Sequence, residues 1–222
     1  SYGDQADSKW RPVLAVDGKT LRGSHDRSNG LGPLHLVSVW LTDAGITLGQ
    51  VATEEKSNEI TAIPRLLELV DIQGAIITID AMGTQTAIAE QIVDGGGDYV
   101  LPLKRNQSRT HDAVIDYVHE QIQDDFARVT VRRHVEQSRG HGREETRTYI
   151  QLPAPDELKA TCRWKALKTI GVVLYQSTCQ GKKTSEIRCY ISSLRLGVKQ
   201  FARAVRKHWG IENTCHWSLD VT

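Results

Sequence analysis

No stretch of the 222-residue chain holds the ~18 consecutive apolar residues that a membrane-spanning helix needs. No apolar segment of the secretory-signal type opens it either, so a cytoplasmic protein without a membrane partner is expected. Cysteine is sparse: Cys162, Cys179, Cys189 and Cys215 include no C-x-x-C pair. That spacing argues against a disulfide framework or a zinc knuckle and for reduced thiols. Internal repeats and low-complexity tracts are missing as well. Charge of one sign is also lacking overall, with a net value of +1. The balance is uneven along the chain: residues 1–100 carry 7 Lys/Arg against 14 Asp/Glu, whereas residues 158–222 carry 12 against 3. An acid-rich start and a basic end suit a protein that holds cations and touches a polyanion, although two mutually neutralising solvated faces would look the same.

What is present is the pattern of an α/β domain. Residues 1–12 are polar and read as a leader or linker remnant. Val13–Val16 reads as a short buried strand. Leu34–Leu41 and Ile46–Thr53 flank the turn signal Asp43-Ala44-Gly45 and read as a hairpin. Asn58–Val70 has helical period, with Ile60, Ile63, Leu67 and Val70 on one stripe, Ser57 or Asn58 as cap, and an awkward Pro64. Ala75–Ile79 suits a strand buried on both faces. Thr86–Val93 reads as a helix, Asp98–Leu103 as a strand, and Thr110–Ile122 as a helix with Ile115, Val118 and Ile122 aligned. Four β-like segments follow, Val129–Val135, Arg147–Leu152, Thr169–Tyr175 and Ile187–Ile191, and helical period returns from Val198. A three-stranded antiparallel start followed by alternating helices and strands gives a mixed sheet with helices on its faces. A ribonuclease-H-like sheet has this order; a flavodoxin-like sheet would lack the opening hairpin.

Three carboxylates are candidates for a common site. Asp17, in AVDGKT, is either the turn of an Asp-Gly hairpin or an acid at a strand end. Asp80, in IITIDAMG, is either a cap for the next helix or a second such acid. Carboxylates at the C-terminal ends of neighbouring strands share the sheet edge where open α/β sheets place ligands. At 100° per residue, Phe201, Ala202, Val205 and Trp209 fall on one apolar stripe with Val198, and Glu212 falls near the same line. Lys199, Arg203, Arg206 and Lys207 fall on other faces. An inward glutamate needs a positive partner, either a basic side chain or a metal ion shared with other acids. Hard oxygen ligands imply Mg²⁺, with Mn²⁺ as substitute, and acid clusters of this kind hold two ions for phosphodiester chemistry. His208, Glu212, His216 and Asp220 recur every four residues, so a zinc site on that helix is a rival. Trp209 and Trp217 suit core packing better than stacking on bases.

Five motifs in order, VDGKTLRGS, TIDAMGTQ, GGDYVLPLKRNQ, HGREETR and HWGIENTCHWSLDV, together resemble the DDE-type insertion-sequence transposases, in the branch that includes the H-repeat-associated proteins. The resemblance implies a ribonuclease-H-like core over 13–127, a β-rich insertion over 128–195, and a C-terminal helix over 196–222 carrying the third acid. It makes Asp17, Asp80 and Glu212 the catalytic, metal-holding acids. Lys104, Arg105, Asn106, Gln107, Arg203, Arg206 and Lys207 are then expected to grip double-stranded DNA, and His208, Asn213 and His216 to orient the acids. The implied activity is cleavage at transposon ends followed by 3′-hydroxyl strand transfer, with a homodimer acting on paired ends. A nuclease of the same fold that cuts without joining, and a non-catalytic DNA-binding domesticated core, remain as alternatives. The family ordinarily has a further region before the first aspartate and continues past the last motif, so an excised or truncated core is expected.

Overall fold

The computed structural model describes residues 10–21, 24, 33–53, 59–140 and 142–211. The chain divides into two compact units, one formed by residues 1–100 with 203–222 and the other by 101–202. Among the described helices none is long and apolar enough to cross a membrane.

In the first unit the strands β1 (Val13–Thr20), β2 (His35–Leu41), β3 (Ile46–Thr53), β4 (Ile76–Ile79) and the start of β5 (Asp98–Leu103) lie in the order β3-β2-β1-β4-β5. The hairpin β1-β2-β3 is antiparallel, and β1-β4 and β4-β5 are parallel. This is the mixed sheet of a ribonuclease-H-like core. The turn between β2 and β3 closes on Gly45 at φ +66°, a conformation that favours glycine. All four residues of β4 are buried, as its unbroken apolar run requires for a strand covered on both faces.

Helices α1 (Glu59–Glu68) and α2 (Thr86–Asp94) connect these strands. Helix α1 buries Ala62, Ile63, Leu66 and Leu67, whereas Ile60 is exposed; the inward stripe is thus rotated from the one expected. The helix runs through Pro64, and the side chain of Gln91 donates to the Pro64 carbonyl at 2.8 Å. Its expected cap, Ser57 or Asn58, lies outside the described residues.

The Asp-Gly pair of AVDGKT is not a turn. Strand β1 continues through it, with Asp17 opposite Ser38 and Gly18 opposite Val37. Gly18 is needed for another reason. A β-carbon there would run into the carboxylate of Glu59 and lie 2.7 Å from His35 Nε2. Those two side chains form a buried pair at 2.6 Å, 5% and 2% exposed, and His35 Nδ1 meets the Thr20 hydroxyl at 2.9 Å. A polar pair so deeply buried persists only when each group finds a partner, and Gly18 supplies the room.

The second unit contains helix α3 (Ser108–Gln123), the antiparallel strands β6 (Arg132–Gly140), β7 (Arg143–Pro153), β8 (Thr169–Cys179) and β9 (Lys182–Ser192), and the short helix α4 (Asp156–Cys162). The four strands are longer than their apolar segments suggest, because their far halves are polar and exposed. Helix α4 carries one buried side chain, Leu158, too little to leave a periodic signal. In α3 the buried residues are Thr110, Val114, Val118 and Gln121, while Ile115 and Ile122 are exposed. Phe201 stands edge-on to Tyr149 and Tyr190, with centroids at 6.3 and 5.6 Å, and fills the space left by Gly171. Along the β7–β8 ribbon, Glu145 accepts from Tyr175 at 2.8 Å and Arg147 at 2.8 Å. Burial pushes the Glu145 carboxyl up, but these hydrogen bonds outweigh it and hold the group below the usual carboxylate range.

Two outcomes are expected. Gly18→Ala should lower the urea unfolding midpoint, by roughly 1–3 kcal/mol of stability, as overpacking of a tight core does; an unchanged midpoint would show that the His35–Glu59 pair yields freely. Because the Glu145 pKa is depressed on folding, its contribution is present in full above the ordinary carboxylate value of 4.5 and is lost as pH falls below it. Acid titration followed by circular dichroism should therefore show a shallower loss of stability below that pH in Glu145→Gln than in the wild type.

Candidate active site

Pairing of β1 with β4 runs from Val13 opposite Ile76 to Val16 opposite Ile79. Asp17 and Asp80 are the next residues on each strand. Adjacent strands lie ~4.8 Å apart and side chains alternate faces, so two residues one step past a matched pair share a face. The two aspartates therefore stand side by side at the C-terminal end of the parallel pairing, both half-buried. On the same face, one pleat back, lie Ala15, its β2 neighbour Trp40 and its β4 neighbour Thr78.

Each aspartate is steadied by the backbone that follows it. Asp17 Oδ1 accepts the Gly18 N–H at 2.9 Å, and Asp80 Oδ1 accepts the Gly83 N–H at 3.0 Å. The Thr84 hydroxyl donates to the Asp80 carbonyl at 3.2 Å. A β-carbon at Gly83 would meet Ile79 and Ile63, so DAMG makes a tight turn that only glycine fits. The cap of α2 is Gln85, not Asp80. Ser38, level with Asp17 on β2, is fully buried and accepts from Gln50 at 2.9 Å.

The last helix, α5 (Val198–His208), has helical continuation to Ile211. Its residues from Arg203 onward can be followed along this face. Arg203 donates to the Arg11 carbonyl at 2.8 Å and pairs with Asp43 of the β2–β3 turn at 2.5 Å. The Arg203 guanidinium also lies 5.4 Å from the centre of the Trp10 ring. Lys207 lies 3.4 Å from the same Asp43. Further on, His208 Nδ1 is 3.1 Å from the Thr78 hydroxyl, and Ile211 packs with Ala15 and Trp40 in one buried cluster. From Arg203 to Ile211 a helix advances ~12 Å. From Arg11 to Ala15 a strand advances ~13 Å. Helix and strand thus run in the same direction, toward the end that carries Asp17 and Asp80.

The other expected site residues fall as follows. Glu212, Asn213 and His216 lie outside the described residues, as does Asp220 of the rival zinc set. Among the described residues no group of three or more His, Cys, Asp or Glu could hold a metal ion. Lys104, Arg105 and Asn106 are exposed in the second unit, where a 3-10 turn (Arg105–Gln107) joins β5 to α3; Gln107 is half-buried. Arg206 is exposed. Arg203 is only 17% exposed and, with Lys207, is ion-paired to Asp43, so both take part in seating α5. Sequence reasoning did not find Thr78, Asp43 or Arg11. The available signal was a lone hydroxyl in the otherwise aliphatic IITI strand.

Comparison with known proteins adds the family. A model described as "Transposase DDE domain" matches residues 9–221. The chain is 43% identical over 228 residues to "Putative protein YbfL" of Escherichia coli K12, covering 98% of this chain and 58% of that protein. It is 43% identical over 221 residues to "H repeat-associated putative transposase YhhI" of the same strain, covering 95% and 56%. It is also 43% identical over 213 residues to "Putative transposase YncI" of Escherichia coli O157:H7, covering 94% and 54%. The chain thus spans a little over half the length of these relatives. With two aspartates in register at one sheet edge, and a family match along nearly its whole length, this chain belongs to the DDE-domain transposase family.

Proposed function

We propose that the chain is the catalytic core of a DNA transposase that cuts phosphodiester bonds at element ends and joins the freed 3′-hydroxyl to target DNA. The observation that carries this reading is the seating of α5. His208 and Ile211 rest one pleat before Asp80 and Asp17, on the same face and heading toward them. Glu212 follows Ile211 directly and stands four residues after His208, so it is the acid to join the pair.

The donor set fits hard divalent cations. Asp17 and Asp80 offer carboxylate oxygens whose orientation is fixed by the Gly18 and Gly83 amides, and with Glu212 they would hold Mg²⁺, or Mn²⁺ in its place, as two ions. When bound, such ions activate an attacking oxygen and stabilise a departing one. In the first step a water oxygen attacks phosphorus, the P–O3′ bond breaks, and a 3′-hydroxyl and a 5′-phosphate result. In the second, that 3′-hydroxyl attacks a phosphorus of target DNA and displaces its 3′-oxygen.

The rest of the chain binds and orients. Lys104, Arg105, Asn106, Gln107, Arg206 and Lys207 are assigned to the DNA backbone, which makes binding weaken steeply with salt. Arg203 is assigned to anchoring α5 through Asp43, and His208, Asn213 and His216 to orienting the acids. Residues 128–195 are read as an insertion in the ribonuclease-H-like core, and a homodimer on paired ends as the working assembly.

Supercoiled plasmid incubated with Mg²⁺ or Mn²⁺ should be nicked by the wild type. Asp80→Asn and Glu212→Gln should each reduce the rate about a hundredfold or more, as loss of a transition-state stabiliser does. Equal rates in all three proteins would overturn the acid triad, and DNA binding without nicking would favour a non-catalytic core. A second assay with a pre-cut 3′-hydroxyl end separates joining from cutting alone; release of cut ends without joined product would identify a nuclease.

A further inference from the structure

Strand β4 reads Ile-Ile-Thr-Ile, and its lone hydroxyl, on Thr78, is 2% exposed. A valine or isoleucine would pack in the same place without burying a polar group. The hydroxyl is partnered on two sides. It lies 3.5 Å from the Leu14 carbonyl of β1 and 3.1 Å from His208 Nδ1. A hydroxyl donates one hydrogen and can accept others. Given to Leu14, its hydrogen leaves the oxygen to accept from an Nδ1–H of His208. One side chain thus ties together the two strands that carry the aspartates and the helix that precedes Glu212.

We propose, on the basis of the site reading above, that Thr78 is a positioning residue whose hydroxyl sets the rotation and height of α5 so that Glu212 is presented to Asp17 and Asp80. The spacing supports this. From Thr78 to Asp80 a strand advances ~6.6 Å and returns to the same face. From His208 to a residue four later a helix advances ~6 Å and turns through about 400°, again returning to nearly the same face. The contact at Thr78 is therefore repeated one step further on as the meeting of Asp80 with Glu212. The other attachments of α5 define its place less sharply. Ile211 against Ala15 and Trp40 is an apolar contact that tolerates sliding, and Asp43 sits on a partly exposed turn. A buried hydrogen bond is directional and fixes one register.

The test is a double-mutant cycle on Mn²⁺ binding by the whole chain, with free Mn²⁺ read by electron paramagnetic resonance. Thr78→Val should weaken binding about tenfold or more, in the range seen when the groups that orient metal ligands are removed. Thr78→Ser, which keeps the hydroxyl, should restore most of the affinity. Glu212→Gln should also weaken binding, and Thr78→Val should add little in that background. The ¹⁵N resonance of His208 Nδ1 should move in Thr78→Val and stay near its wild-type position in Thr78→Ser. Unchanged affinity in Thr78→Val while Glu212→Gln weakens binding would overturn this inference and leave the acid site standing. Fully additive losses would also overturn it, because Thr78 would then act through packing alone. No effect of Glu212→Gln would sink the site reading, and this inference with it. Should Thr78→Val fail to fold by circular dichroism, His208→Leu takes its place in the same cycle, with the same expectations.

Discussion

The parallel pairing of β1 with β4 is the constraint from which the rest of the site follows. Its register places Val16 opposite Ile79, and the pleat then puts Asp17 and Asp80 side by side on one face. A slip of one residue would send one carboxylate to the face where Gly18 leaves room for the buried His35–Glu59 pair. The register is protected by burial. Val13–Val16 and Ile76–Ile79 are almost wholly inaccessible, and each such aliphatic side chain favours the folded state by about 1.5–3 kcal/mol.

Around that pairing the two faces of the first unit do different work. One carries α1, whose Leu66 approaches Gly49 and whose Glu59 pairs with His35. The other carries α5, attached at Asp43, Thr78 and the Ala15–Trp40 pair. The aspartates lie on the second face, beyond the point where α5 is held. Glycine recurs at both acids for steric reasons. Gly18 avoids a collision behind the sheet, and Gly83 permits the turn that gives its amide to Asp80.

The second unit follows a different logic. Its strands are buried where Phe201 meets Tyr149, Gly171 and Tyr190, and polar toward the ribbon ends. There the cross-strand contacts are between charges and tyrosines, with Glu145 between Tyr175 and Arg147. A ribbon held in this way needs few apolar residues, which is why its strands extend beyond the segments that hydrophobicity marks.

The sequence by itself determined the order of the principal elements, the hairpin with its Asp43-Ala44-Gly45 turn, the buried strand before Asp80, and the family. These rest on local signals: apolar runs, a turn glycine and motifs that can be read along the chain. Other features were decided only by tertiary structure. Asp17-Gly18 reads locally as a turn, yet β2 supplies partners for both residues and the strand continues. Ile60, Ile115 and Ile122 belong to regular apolar stripes but face outward, because the neighbouring sheet covers an adjacent stripe. Arg203 and Lys207 are basic residues in a basic helix, and their pairing with Asp43 appears only when a turn 160 residues earlier folds against them. Thr78 is the clearest case. A hydroxyl in an aliphatic strand is a visible oddity, but its partner 130 residues away on α5 follows from packing, since no local pattern encodes which helix will cover which strand.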